Sequence, residues 1–193
     1  MKIIHLTYER AVEMKNRAVA ALLMLAMMFG GIYIGGRRSL GNRYDKVAGA
    51  FENGVLDDGY SIANDLEEIK AQAYNLCTIA KKFLPEDNAE IKAAENARAA
   101  LMSAVGISDK YVKNYQLYEA VVALYADLKA EASFTGSQAD MAKIAYGEIE
   151  SRNDTIKNDG YNAAAKDFND IRNGFPTAFI AALCGIKSAE YFS

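Results

Sequence analysis

Between Arg17 and Arg37 the chain carries no charged side chain: the nineteen residues from Ala18 to Gly36 read AVAALLMLAMMFGGIYIGG. A helix rises about 1.5 Å per residue, so this run reaches about 28 Å, close to the roughly 30 Å hydrocarbon core of a bilayer. The core helix of a water-soluble domain keeps one polar face, and this run has none. Arg17 before it and Arg37–Arg38 after it are placed to reach the two headgroup layers, and Tyr33 stands where an interfacial aromatic belongs. A cleavable signal peptide needs a small-x-small site just past its apolar region, for which the Gly-rich stretch after Phe29 is a poor substitute. The expectation is a short N-terminal segment over 1–17, a transmembrane helix over 18–36 and a helical body over 37–193.

Gly31 and Gly35 lie four apart in that run, flanked by Gly30 and Gly36. Glycines at this spacing clear one helix face, so a second backbone can approach and gain dispersion contacts. The pair points to self-association within the membrane. Orientation has no such signal. Lys2, Arg10, Lys15 and Arg17 precede the run and Arg37, Arg38, Arg43 and Lys46 follow it, so the positive-inside rule is balanced.

The body reads as all-α. Pro85 and Pro176 are the chain's two prolines, and alanine, the best helix former, recurs throughout. Up to Gly59 the chain is loosely amphipathic through Tyr44, Val47, Phe51 and Val55. From Ser61 to Leu84 the apolar positions Ile62, Leu66, Ile69, Ala73, Leu76 and Ala80 fall at alternating steps of four and three, the helical period, and Pro85 ends the run. A second helix is expected over 86–105 through Ile91, Ala94, Ala97, Leu101 and Val105. A third is expected from an N-cap at Ser108 to about Ala132, its stripe formed by Tyr111, Tyr115, Tyr118, Val122 and Tyr125. Such a stripe is ordinarily interhelical packing with hydroxyls at the surface; the alternative is a face that binds a glycan or peptide. A fourth, unusually long helix is expected from Gly136–Ser137 to Asn173, because Met141, Ala145, Ile149, Ile156, Ala163 and Ile171 keep near-heptad spacing, as in a coiled-coil hairpin. The apolar segment Phe175–Ile186 is too short to span a membrane, so it is expected to pack on the bundle or lie at the interface.

Charge and chemistry narrow the function by exclusion. Residues 1–36 carry Lys2, Arg10, Lys15 and Arg17 against Glu9 and Glu13, a net of +2, whereas the remaining 157 residues hold 18 basic and 23 acidic side chains, a net of −5. An acidic body without a basic stripe does not suit nucleic acid, whose affinity comes from neutralised phosphates. His5 is the chain's one histidine and lies before the apolar run, which removes Ser-His-Asp, Cys-His and His-metal arrangements from the body. The pairs Asp57–Asp58 and Glu67–Glu68 are adjacent, so on a helix they diverge. Cys77 and Cys184 stand outside any CxxC grouping and read as small apolar packing residues. No catalytic residue, metal or cofactor is expected. A part in an enzyme completed by a partner chain is the weakest alternative.

The stretch Tyr161-Asn162, Phe168-Asn169, Ile171, Phe175-Pro176, then Ala181, Gly185 and Tyr191-Phe192, resembles the LemA family. Upstream, Asn75-Leu76, Ala80-Lys81-Lys82 and Ala97-Arg98 are similar to that family's first helix pair. The chain departs from the pattern at Asn158, where an Arg is usual, and at Thr177-Ala178, where an Asn usually follows the Phe-Pro dipeptide. It also lacks the usual Ile-Pro-Asn-Leu lead-in, and so resembles a divergent member. The resemblance implies an antiparallel helical bundle tethered to a bacterial inner membrane, and it brings no catalytic residues with it. Two functions follow as expectations. One is a structural scaffold that self-associates. The other is a binding module that presents Tyr111, Tyr115, Tyr118 and Tyr125, or the tail from Phe175 to Phe192 with Phe175 and Phe179 in it, to another membrane or envelope protein or an envelope ligand.

Overall fold

The computed structural model describes the backbone of residues 2–193 and the side chains of residues 14–193; the side chain of His5 and the apolar positions before Met14 lie outside the described side chains. The chain forms α1 (Lys2–Asn53), α2 (Ile62–Ala80), α3 (Ala89–Met102), α4 (Ile107–Ala130), α5 (Ser137–Lys157), α6 (Tyr161–Asn173) and α7 (Thr177–Cys184). Among the described residues there is no strand, in keeping with the all-α expectation. The helices fall into two compact units, one of residues 1–44 and 171–187, the other of residues 45–170 and 188–193.

The larger unit is the helical bundle. α2 is its central element and packs against α3, α4 and α5; α3 also pairs with α4. Every position of the α2 stripe read from the sequence is buried, from Ile62 through Leu66, Ile69, Ala73 and Leu76 to Ala80. Opposite it lie Ile91 and Ala94 of α3, Leu117, Val121, Leu124 and Leu128 of α4, and Ala142, Ala145 and Ile149 of α5. Alanine at so many contact positions lets helix axes approach to the short end of the usual 8–10 Å range. The Arg98 side chain ties α3 to α2 by donating to the Lys70 carbonyl at 2.9 Å and lying 5.1 Å from the centre of the Tyr74 ring. Lys81 and Glu95 add an ion pair at 2.6 Å between the same helices.

Helix ends have local causes. Gly54 stops α1 with φ of +89°, and a Cβ there would collide with the Tyr60 carbonyl, so only glycine fits. Ser61 caps α2 by accepting from the Asn64 amide at 3.2 Å while its hydroxyl donates to the Glu52 carbonyl at 2.9 Å. α2 closes at Ala80, short of the expected Leu84, because the amides of Lys82 and Phe83 turn back onto the carbonyls of Ile79 and Ala80. Asn88 caps α3 through the amides of Glu90 and Ile91.

Three expectations are corrected. The N-cap of α4 is Gly106, not Ser108. The long fourth helix is two helices: Asn158 turns its side-chain amide back to the Asp154 carbonyl at 2.8 Å, and Asp159 accepts from the Tyr161 amide at 2.7 Å to start α6. The near-heptad stripe therefore holds only within α5, at Ala145, Ile149 and Ile156; Met141, Ala163 and Ile171 are exposed. On α4 the buried stripe is aliphatic, and the tyrosines sit on its flank rather than in the core.

One buried carboxylate gives the bundle a pH signature. Asp65 is 6% exposed and accepts from the Arg152 guanidinium at 3.1 Å. Burial raises its pKa above the ordinary 3.8 and outweighs the lowering by Arg152. Relative to the unfolded chain the fold thus favours the protonated form of Asp65, so the group's stabilising contribution is complete below its unfolded pKa and is lost as pH rises through the raised folded value. Asp65→Asn is expected to remove that loss: as pH rises from the ordinary carboxylate range toward neutrality, the urea midpoint of the native chain falls relative to the variant's. A relative rise across that window means the arginine dominates and reverses the assignment.

Candidate functional site

The motif Tyr161-Asn162 with Phe168-Asn169 recurs at a spacing of seven, which puts both asparagines on one face of α6. Each amide grips the C-terminal segment from both sides. Asn162 donates to the Phe192 carbonyl at 2.9 Å and accepts from the Phe192 amide at 2.8 Å. Asn169 does the same with Ala189, at 3.0 and 2.8 Å. Seven helical residues rise about 10.5 Å and three extended residues span about 10 Å, so the two clamps meet a nearly extended chain in register. Between them the Tyr161 hydroxyl donates to the Glu190 carbonyl at 2.7 Å.

The strap ends in two further contacts. Phe192 is 5% exposed, with its ring centre 6.0 Å from that of Phe51 and 5.3 Å, edge-to-face, from that of Tyr111. Phe51 in turn meets Tyr161 edge-to-face at 5.5 Å. Glu190 reaches the start of α4, where its carboxylate accepts from the amides of Ile107 at 2.7 Å and Ser108 at 3.4 Å. A carboxylate there satisfies orphan amides and meets the positive end of the helix dipole. α4 has no cap of its own because the tail brings one. Gly106 makes room: with φ of +86°, a Cβ on it would lie 3.0 Å from the Glu190 carboxylate.

The candidate residues from the sequence fall into three places. Gly31 and Gly35 are exposed on α1, and a Cβ on either would meet nothing within 4 Å. Gly36 differs: a Cβ there would strike the Ile180 side chain of α7 and approach the Cys184 sulfur to 3.2 Å, so α7 packs on α1 at that glycine. On α4, Tyr111 and Tyr115 are exposed, whereas Tyr118 and Tyr125 are half-buried. Tyr125 stacks on Tyr146 of α5 at 4.2 Å with a 13° interplanar angle. Burial, with the hydrogen bond to Glu150, pushes the Tyr146 phenol up to about 12, so it stays neutral. Phe175 and Phe179 are exposed at 97% and 62%. The tail is thus divided: Phe175 and Phe179 are open to a partner, but Phe192 is spent inside the bundle, which corrects the reading of the whole tail as a presented surface.

Cys77 and Cys184 are both free and buried. Burial pushes the Cys77 thiol up to about 11, which leaves it unreactive. Among the described residues no three His, Cys, Asp or Glu side chains converge as a metal would require. The roles of Asn162, Asn169 and Glu190 escape sequence reasoning, although the seven-residue repeat of the aromatic-Asn pair is their visible signal.

These features define a class: an all-α bundle locked by its own C-terminal strap, in a chain that also carries a long, exposed apolar helix. Residues 61–193 match the LemA family, and the chain belongs to that family. The match opens at the Ser61 cap and includes both asparagine clamps and the strap, so the motif residues that carry the likeness here do structural work. No curated protein matches the chain.

Proposed function

We propose that this chain is a membrane-anchored scaffold without catalytic activity: α1 crosses a bacterial inner membrane, holds the bundle at its surface, and associates with further copies of the chain. One observation carries the anchor. The apolar stretch of α1 is long enough to cross a bilayer, and none of it is buried within the protein. A core helix would be covered by its own chain; nineteen consecutive uncharged residues in water would expose more apolar surface than a soluble monomer sustains.

Self-association draws support from the contrast along α1. Gly36 is filled by α7, while Gly31 and Gly35 stay open to a neighbouring backbone. The partners this reading names are membrane lipid, further copies, and other membrane or envelope proteins; the acidic body speaks against nucleic acid. Light scattering of the full chain in mild detergent is expected to report an oligomer, and Gly31→Leu/Gly35→Leu to shift it toward monomer. A native chain that stays monodisperse and monomeric at high concentration overturns the scaffold reading. That result would favour the second reading, a tethered binding module, for which the exposure of Tyr111 and Tyr115 on α4 speaks.

A further inference from the structure

The segment Phe175–Ile186, containing α7, has no charged residue. Its inner side is occupied. Ala181 and Cys184 are buried, Ile180 fills the space at Gly36, the Cys184 thiol donates to the Tyr33 carbonyl at 3.5 Å, and Arg37 donates to the Cys184 carbonyl at 3.2 Å. Its outer side is not. Phe179 and Leu183, four apart on α7, are 62% and 42% exposed, and Phe175, in the turn just before the helix, is 97% exposed. A helix apolar on both faces needs an apolar medium on both, and protein covers only one.

Depth and charge identify the missing medium. α7 touches α1 from Tyr33 to Arg37, the last turn of the uncharged run, where an anchor leaves hydrocarbon for headgroups. Beside α7, from Arg37 to Tyr44 and from Ile171 to Lys187, the sequence contains Arg37, Arg38, Arg43, Arg172 and Lys187 but no Asp or Glu. All of these residues belong to the smaller compact unit. The end of α1 and the α7 segment therefore offer apolar side chains bordered by cations, the complement of an anionic phospholipid surface.

We propose that α7 is a half-inserted interfacial helix, with Phe175, Phe179 and Leu183 entering the acyl region of a phospholipid bilayer beside the end of α1. The chain then grips lipid at two points. This rests on the anchor reading above and adds a second membrane contact to it.

The chain has no tryptophan, so each introduced one reports alone. Four full-length variants, Phe179→Trp, Phe175→Trp, Leu25→Trp and Val105→Trp, are reconstituted in phosphatidylcholine–phosphatidylglycerol vesicles whose acyl chains carry bromine at shallow or deep positions. Phe175 is almost wholly exposed, so tryptophan there disturbs no packing if the change at Phe179 does. Positions 175 and 179 are expected to emit at short wavelength and lose most of their emission to shallow bromines, and position 25 to deep ones. Position 105, 85% exposed in the other unit, keeps its emission. Tryptophans at 175 and 179 that are quenched no more than at 105, while 25 is quenched, overturn the proposal and leave the anchor intact. An unquenched position 25 removes the anchor and this proposal together. Short-wavelength emission at 179 that resists bromine and grows with protein-to-lipid ratio assigns the face to a second copy, and also overturns it.

Discussion

Phe192→Ala is expected to lower the unfolding free energy by about 4 kcal/mol, the range for emptying a buried phenylalanine site that cannot collapse. The ring is enclosed by Phe51 and Tyr111, and the backbone on which it sits is pinned by Asn162. Losing the ring loosens the whole strap. Then the Glu190 cap leaves α4, and the Asn162 and Asn169 amides lose their backbone partners at Phe192 and Ala189. Asn169→Ala strands one buried backbone donor and one buried acceptor, a cost of about 2–3 kcal/mol. Asn162 is exposed, so water replaces part of its bonds and Asn162→Ala costs about 1 kcal/mol. Because all three residues hold one segment, Phe192→Ala/Asn162→Ala is expected to cost clearly less than the sum of its parts. Val105→Ala, at an 85% exposed position, is the reference and should stay within about 0.5 kcal/mol of the native chain. Urea unfolding of the full chain in detergent, followed by helical circular dichroism, measures all of these. A loss below about 1 kcal/mol for Phe192→Ala would mean that the strap adorns the bundle rather than locking it.

Much of this fold is legible where the signal is local. The α2 stripe reads correctly because every member is aliphatic or alanine and one helical phase accounts for all of them. α4 offers two stripes of equal period, Tyr111–Tyr115–Tyr118–Tyr125 and Leu117–Val121–Leu124–Leu128, and the sequence alone favours the more conspicuous aromatic set. The aliphatic set is the one buried, because a buried phenol needs a hydrogen-bond partner and a leucine needs none. The break at Asn158-Asp159-Gly160 hides behind heptad spacing that continues across it by coincidence, though those three residues are strong turn formers. The cap of α4 is beyond any local reading: its carboxylate, Glu190, comes from more than eighty positions downstream. The strap is invisible for the same reason. A helix face of two asparagines announces a polar surface, and only the folded chain shows that the surface receives backbone.

The anchor reading makes the other large prediction. Leu25 and Met28 stand on either side of Met27, the midpoint of the uncharged run, and both are exposed. Placing an arginine near the centre of a membrane helix costs about 3 kcal/mol on insertion scales, and replacing an apolar residue adds a few tenths more. Leu25→Arg/Met28→Arg therefore shifts partitioning by roughly 6 kcal/mol, on the order of ten-thousandfold. The substitution spares the fold, since arginine is nearly as good a helix former as leucine and neither exposed side chain is part of the core. After alkaline washing of membranes, native protein and the Leu25→Ala/Met28→Ala control are expected in the pellet. The arginine variant is expected in the supernatant, with unchanged helical content. Equal retention of all three in the pellet would sever α1 from the lipid and leave its exposed apolar surface to be explained by protein contacts instead.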